Sequence, residues 1–191
     1  MTIILRAAAI NTVRDGDSMK LMTGDGVVFL RPMDEDMVEE ATLLYNSSIR
    51  YATGFDEAVS AGQVRDILLH SSSFCDQFSS GIFIYCEKTC LPQFAGLVTG
   101  LVREGAIWLK LFAVLPQFRR KGIGTRAAQL ILRYSLIHWG VTEAFLSVAE
   151  ENDAGLSFWT SQGFASAATL EKALFKEEIK QKVIIMNKKC P

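Results

Sequence analysis

Apolar and polar positions along this chain follow two periods, and the order in which they change outlines a fold. Runs of strand-like alternation or short continuous apolarity occur at "GVVFLRPM", "GIFIYCE", "FAGLVTGLVR", "AIWLKLFAV", "AFLSVAE", "FASAA" and "KVIIMNKK". Turn formers bound most of them, which predicts strands. The first run stops at Pro32, and Asp34 is placed to N-cap a helix with Met37, Ala41 and Leu44 on one face. A second helix is predicted from Asp56 through Val59, Val64, Ile67 and Leu68. Between the two helices, "RYATGF" carries Tyr51, Phe55 and a hinge at Gly54.

The middle strands read as an antiparallel meander, joined by "KTCLPQ" and by the tight turn Glu104-Gly105. Helical spacing returns with Ile123, Ala127, Leu130, Ile131 and Tyr134, and Gly140 closes that helix. "NDAGLSFWTSQ" predicts a short helix ended by Gly163, and "LEKALFKEEIKQ" a last helix before the final strand. At the start, "TIILRAAAI" and "SMKLMTG" flank "RDGD", so residues 1–25 are expected to be an extension folded as a hairpin. Arg6 inside the first run, with no basic leader before it, favours a strand over a signal peptide. No repeat, low-complexity tract or linker interrupts the chain, which reads as a single domain over residues 1–191.

Composition narrows the function classes. The chain has 191 residues, 49% hydrophobic, which suits one packed domain. Lys and Arg number 20 against 21 Asp and Glu, a net charge of −1. No global field invites nucleic acid, so anion binding has to come from local clusters. No apolar run approaches about 18 residues, so no membrane span is expected. Cys75, Cys86, Cys90 and Cys190 are too few for a disulfide framework. The spacing in "CEKTC" lacks further ligands, because His70 and His138 fall in helical stretches elsewhere. Free thiols of a cytoplasmic protein, and no metal, are the expectation.

The densest chemical signal is "LPQFRRKGIGTRAAQL", residues 115–130. Gly122 and Gly124 lack Cβ atoms, so the backbone can turn there and approach a ligand closely. A helix begins at this point, and its first N–H groups have no intrahelical acceptors. With Arg119, Arg120 and Lys121 beside them they make an anion site suited to a pyrophosphate. A P-loop does not fit, because Lys121 precedes the glycine instead of following it. Gly122, Gly124 and Ala127 fit the dinucleotide fingerprint, with Glu150 ending the next strand. That fold needs its strand to enter the first glycine almost directly, whereas Pro116 and a basic stretch intervene here.

The stretch "LKLFAVLPQFRRKGIGTRAAQLIL" resembles the acyl-CoA-binding motif of the GNAT acetyltransferases, with Arg119, Gly122 and Gly124 at the motif positions. "NDAGLSFWTSQGF" is similar to that family's second motif, through Asn152, Gly163 and Phe164. The order of elements from about Gly26 to Lys189 fits as well. The resemblance implies an α/β (α+β) GNAT fold, a mixed and mostly antiparallel central sheet flanked by helices, whose fourth and fifth core strands splay apart. It implies acetyl-CoA as co-substrate, with the pantetheine arm pairing near Phe112 and Val114. The diphosphate would sit on the N–H groups of Arg120, Lys121, Gly122, Ile123, Gly124 and Thr125, with Arg119 beside it and Asn152 on the other side. The implied activity is acetyl transfer to a primary amine of a small molecule or peptide, with neither nucleic acid nor membrane as partner. A homodimer is compatible with it.

The match departs from its family in the acid–base groups. Trp159 stands where the family's usual Tyr acid would be, and an indole N–H is far too weak an acid to replace it. Trp108 and Ser147 stand where family members carry Glu. Trp159 is expected to wall the thioester end, and Tyr51, Phe55 and Trp108 to line the acceptor pocket. Glu151 is the candidate base, since it would share a face with Ser147 if that strand continued two pleats further. Glu150 would point the other way, water can protonate the leaving thiolate, and Tyr51 or Tyr45 can reach in from the acceptor side. A catalytically weak acyl-CoA-binding module is the alternative to an enzyme.

Overall fold

Pairing register decides which side chains each strand buries. The computed structural model describes residues 22–49, 58–70, 76–85, 91–173 and 180–190. The expected hairpin before Met22, the loop with Tyr51, Gly54 and Phe55, and Cys75, Cys86 and Cys90 lie outside them.

Among the described residues, eight strands form one sheet: β1 (Thr23–Gly24), β2 (Val28–Pro32), β3 (Gln77–Tyr85), β4 (Pro92–Arg103), β5 (Ala106–Val114), β6 (Glu143–Ala149), β7 (Ala165–Ala173) and β8 (Lys180–Lys189). Their order is β1-β2-β3-β4-β5-β6-β8-β7. Among the described strands, β5 and β6 are the one neighbouring pair that runs parallel, joined by a crossover through a helix. The β4–β5 turn is the predicted Glu104-Gly105 pair, with both residues at positive φ (52° and 76°), the twist a two-residue hairpin needs.

Helices cover both faces of this sheet. α1 (Val38–Leu44) follows a 3-10 turn, and α2 (Ala61–Arg65) continues as a π-helical turn to His70. Together they bury Met37, Ala41, Leu44, Val64 and Leu68 against Phe83 and Leu97. On the other face, α3 (Ile123–Trp139) and α4 (Asp153–Ser161) pack Ile123, Ala127, Ile131 and Trp159 against Phe78, Ile82, Ile107, Leu109 and Leu146.

Three predicted elements differ. Asp34 precedes the 3-10 turn but caps nothing; its carboxylate accepts from Arg31 Nη1 at 2.6 Å. The second helix starts at Ser60, which shares a capping box with Gln63, and the start predicted at Asp56 is outside the described residues. Val59, placed in that helix, is extended chain whose N–H and C=O are both held by the Asn46 amide at 2.9 Å. The expected helix over "LEKALFKEEIKQ" is strand at both ends. Leu170 to Ala173 pair with Val183 to Lys180, so ladder formation overrides a helix-favouring, charge-rich composition.

One irregularity positions the site. Thr99 pairs with Leu111 and Gly100 with Leu109, so Lys110 is an extra residue bulged out of β5. The bulge reverses the alternation. Ile107 and Leu109 face the α3 layer before it, and Phe112 and Val114 face the same layer after it. Leu111 and Ala113 therefore turn toward α1 and α2. Gly100 permits the close approach: a Cβ there would lie 2.6 Å from the Trp108 carbonyl oxygen and 2.7 Å from the Phe78 ring.

Candidate active site

The parallel ladder between β5 and β6 is short. It runs from Ala106 opposite Glu143 to Leu109 opposite Leu146 and stops, while β5 continues to Val114 and β6 to Ala149. The strands splay there, as the resemblance implied. The Leu115 N–H donates to the Ala95 carbonyl at 2.8 Å, so alternate residues of β5 bond toward β4. By that alternation the backbone groups of Phe112 and Val114 face the gap. The Val114 carbonyl accepts from Arg119 Nε at 2.8 Å. One predicted cation thus braces the loop against the end of its own strand.

After β5 the chain makes a 3-10 turn at Pro116–Phe118 and enters α3 through two left-handed residues, Arg120 (φ 61°) and Gly122 (φ 77°). A left-handed non-glycine costs about 1–2 kcal/mol, so surrounding structure holds Arg120 in place. Among the described residues, Arg126 is the first in α3 whose N–H meets a backbone carbonyl, that of Gly122 at 3.0 Å. The N–H groups of Ile123, Gly124 and Thr125 belong to the open first turn of a long helix. Arg120 and Lys121 are exposed beside them. This arrangement suits a pyrophosphate in charge and in donor direction.

The two glycines serve different ends. Gly122 supplies the left-handed turn, and no atom lies near where its Cβ would be. Gly124 is helical; a Cβ there would rest 3.5 Å from the Phe158 ring and 3.7 Å from Val114, an ordinary contact. Arg126 also ties the loop to the β1–β2 turn through Asp25 at 2.8 Å. Burial pushes the Asp25 carboxyl up, but hydrogen bonds from the Val28 N–H and from Arg126 outweigh it and hold the group below its ordinary value.

Aromatic rings close the gap on the α3 side. Phe112 stacks on Phe158 with centroids 5.8 Å apart, and Trp159 meets Phe112 edge-on at 5.1 Å and Phe164 at 5.1 Å. Trp159 is only 7% exposed. Most of its surface is spent on packing. Asn152 caps α4, its Oδ1 accepting from the Gly155 N–H at 2.9 Å. A Cβ at Gly155 would lie 2.6 Å from Asn152 Nδ2, so a larger residue there would displace the capping side chain.

The carboxylates fall differently from the pleat argument. β6 ends at Ala149, and Asn152 N–H turns back to the Ala149 carbonyl at 2.9 Å. Glu151 is thus an exposed turn residue and does not extend the face of Ser147. Glu150 faces β8, donating its N–H to Lys182 O at 3.0 Å. Tyr45 is in the core under the sheet, where burial pushes its phenol up to about 12, so it is withdrawn from the acceptor side. On the face away from α3, Trp108 stacks on Phe145 with centroids 5.6 Å apart and planes 11° from parallel. Phe145 was not singled out from the sequence; only the parallel register, which sets it opposite Trp108, identifies it.

Comparison with known proteins agrees with this geometry. A family model described as "Acetyltransferase (GNAT) family" matches residues 44–164. A search of curated protein sequences finds no match. Among solved structures, spermidine N-acetyltransferase from Vibrio cholerae in complex with CoA and spermine superposes with a TM-score of 0.70 at 16% identity, over 87% of this chain and 97% of that one. A GNAT-family acetyltransferase from Bacillus anthracis gives 0.72 at 12%, over 88% and 98%. Arabidopsis thaliana NAA60 in complex with a bisubstrate analogue gives 0.65 at 12%, over 86% and 99%. With its splayed β5 and β6, its open helix start and a family match across most of its length, this chain belongs to the GNAT acetyltransferases, enzymes that use acetyl-CoA.

Proposed function

We propose that this chain moves the acetyl group of acetyl-CoA to a primary amine of a small molecule or peptide. The observation that carries the reading is the end of the β5–β6 ladder at Leu109 and Leu146, directly upstream of the open helix start at Gly122. In this reading the N–H groups from Arg120 to Thr125, with Arg119, Arg120 and Lys121, hold the diphosphate. The pantetheine arm runs back along β5 and pairs with Phe112 and with the Val114 N–H. Asn152 borders the arm from the β6 side, and Phe112, Phe158 and Trp159 shield the thioester end from water.

The chemistry then follows from positioning. The neutral amine attacks the thioester carbonyl, its N–C bond forms, and the C–S bond breaks. The proton of the substituted amine leaves to solvent, with Glu151 in the turn beyond β6 as the carboxylate that can accept it through water. The departing thiolate takes its proton from water. Rate acceleration comes chiefly from holding the two reactants together and from backbone donors near the developing oxyanion. Thiol release from acetyl-CoA across a panel of amines and peptide N-termini, with calorimetry of CoA binding, is the test. The expected outcome is CoA binding and amine-dependent release. Binding without release to any amine would leave a binding module, and no binding at all would remove the site.

A further inference from the structure

Across the face of the sheet away from α3, register aligns one row of side chains on five strands: Gln77, Leu101, Trp108, Phe145 and Asn187. The buried cluster under α1 and α2 reaches Leu111 and Ala113 further along β5 and does not include this row. Trp108 and Phe145 form a stacked, half-buried aromatic plate at its centre. The plate lies one rung before the ladder ends, about 3.3 Å along the strands from where β5 and β6 part.

Two charges flank the plate on this face, a cation on β5 and, on β6, a carboxylate already engaged by an amide. Lys110 is exposed, and its Nζ lies 3.1 Å from Gln77 Oε1, so the side chain crosses β4 over the same face. On β6, Glu143 shares the face two residues from Phe145, and its Oε1 is engaged by Asn187 Nδ2 at 2.9 Å. An amine carrying further ammonium groups would meet Lys110 as a like charge. An acceptor with a ring and an anion would find a stacking surface and, from a residue two places along β5, a flexible cation on the same face. The diphosphate end of CoA fixes the direction of the arm, which brings the thioester toward Lys110 and Trp108. A cation at that point also disfavours the protonated form of an incoming amine, and so favours its nucleophilic form where no side-chain base is in contact.

We propose that the acceptor is a primary amine on an aromatic body that also bears a carboxylate, of the kind an aromatic amino acid presents, with Trp108 and Phe145 stacking the ring and Lys110 holding the carboxylate. The proposal rests on the acetyl-transfer reading above. Its test compares kcat/KM for L-phenylalanine, phenethylamine and spermidine in the wild type, Lys110→Glu, Lys110→Arg and Trp108→Ala. The wild type should prefer L-phenylalanine over phenethylamine by about tenfold or more, with spermidine last. Lys110→Glu should reverse that order and Lys110→Arg keep it, while CoA affinity is unchanged in both. Trp108→Ala should raise KM for both aromatic amines about tenfold and leave kcat nearly the same. A wild type that prefers spermidine, or an order indifferent to Lys110→Glu, overturns the proposal. If CoA binds and no amine is acetylated, titration of L-phenylalanine into the CoA complex separates the two readings. Heat of binding lost in Trp108→Ala would uphold this pocket and sink acetyl transfer, and absence of binding would sink the pocket.

Discussion

At its C-terminal end β5 runs into a loop whose open groups are backbone; at its N-terminal rungs it carries a plate made of side chains. The loop from Leu115 to Thr125 works through open N–H groups, one glycine turn at Gly122 and a brace from Arg119 to the Val114 carbonyl. The plate of Trp108 and Phe145 instead exists because two strands far apart in the chain pair in parallel with one register. A backbone site tolerates variation in the rings around it and fails when the main chain is obstructed. A side-chain site keeps its frame under substitution and changes what it prefers.

The largest expected effect is at the loop. Gly124→Asp places a carboxylate between Phe158 and Val114, against the anion site, and should weaken acetyl-CoA binding about a hundredfold or more. Gly124→Ala is the control, because its Cβ makes only ordinary contacts and the fold should persist. Calorimetry on the two variants decides; equal affinity in Gly124→Asp and wild type would put the cofactor elsewhere.

A smaller effect is expected at the aromatic wall between the two sites. Trp159→Phe should change single-turnover acetyl transfer by about tenfold or less, since packing and not proton donation is lost. A drop of about a thousandfold with CoA affinity intact would show that the indole N–H takes part in the chemistry.

The smallest effect concerns the tie between the loop helix and the β1–β2 turn. Asp25 is held below its ordinary value of 3.8 in the fold. Its contribution is therefore complete above about 3.8 and disappears as pH falls through the folded value. Both partners are partly exposed, so Asp25→Asn should cost below about 1 kcal/mol near neutral pH. The difference in Tm between the two proteins should shrink as pH falls below the ordinary carboxylate value, and a difference that grows on acidification would contradict the assignment.

The loop was legible because its signal is local. Pro116, three cations and two glycines lie within ten residues, and glycine conformation and helix starts are short-range properties. The Asn152 cap and the Glu104-Gly105 turn were legible for the same reason. The capping box of Ser60 and Gln63 was equally local, but a hydrophobic pattern that ran through it from Asp56 concealed it. The strand character of Leu170 to Ala173 had no local signal, because charged residues at helical spacing hide an edge strand until its partner is known.

The amino-acid sequence by itself determined the meander, the helix that follows it, the loop of cations and glycines between them and the family to which these belong. Each of those depends on residues near one another in the chain, where sterics and hydrogen bonding act directly. The tertiary structure alone decided that Lys110 bulges, that Phe112 and Val114 therefore share a face with Leu109, and that the strand ends before Glu151. It also decided that Phe145 meets Trp108. A period of two carries no memory of an inserted residue, and register between distant strands is set by what the whole sheet buries.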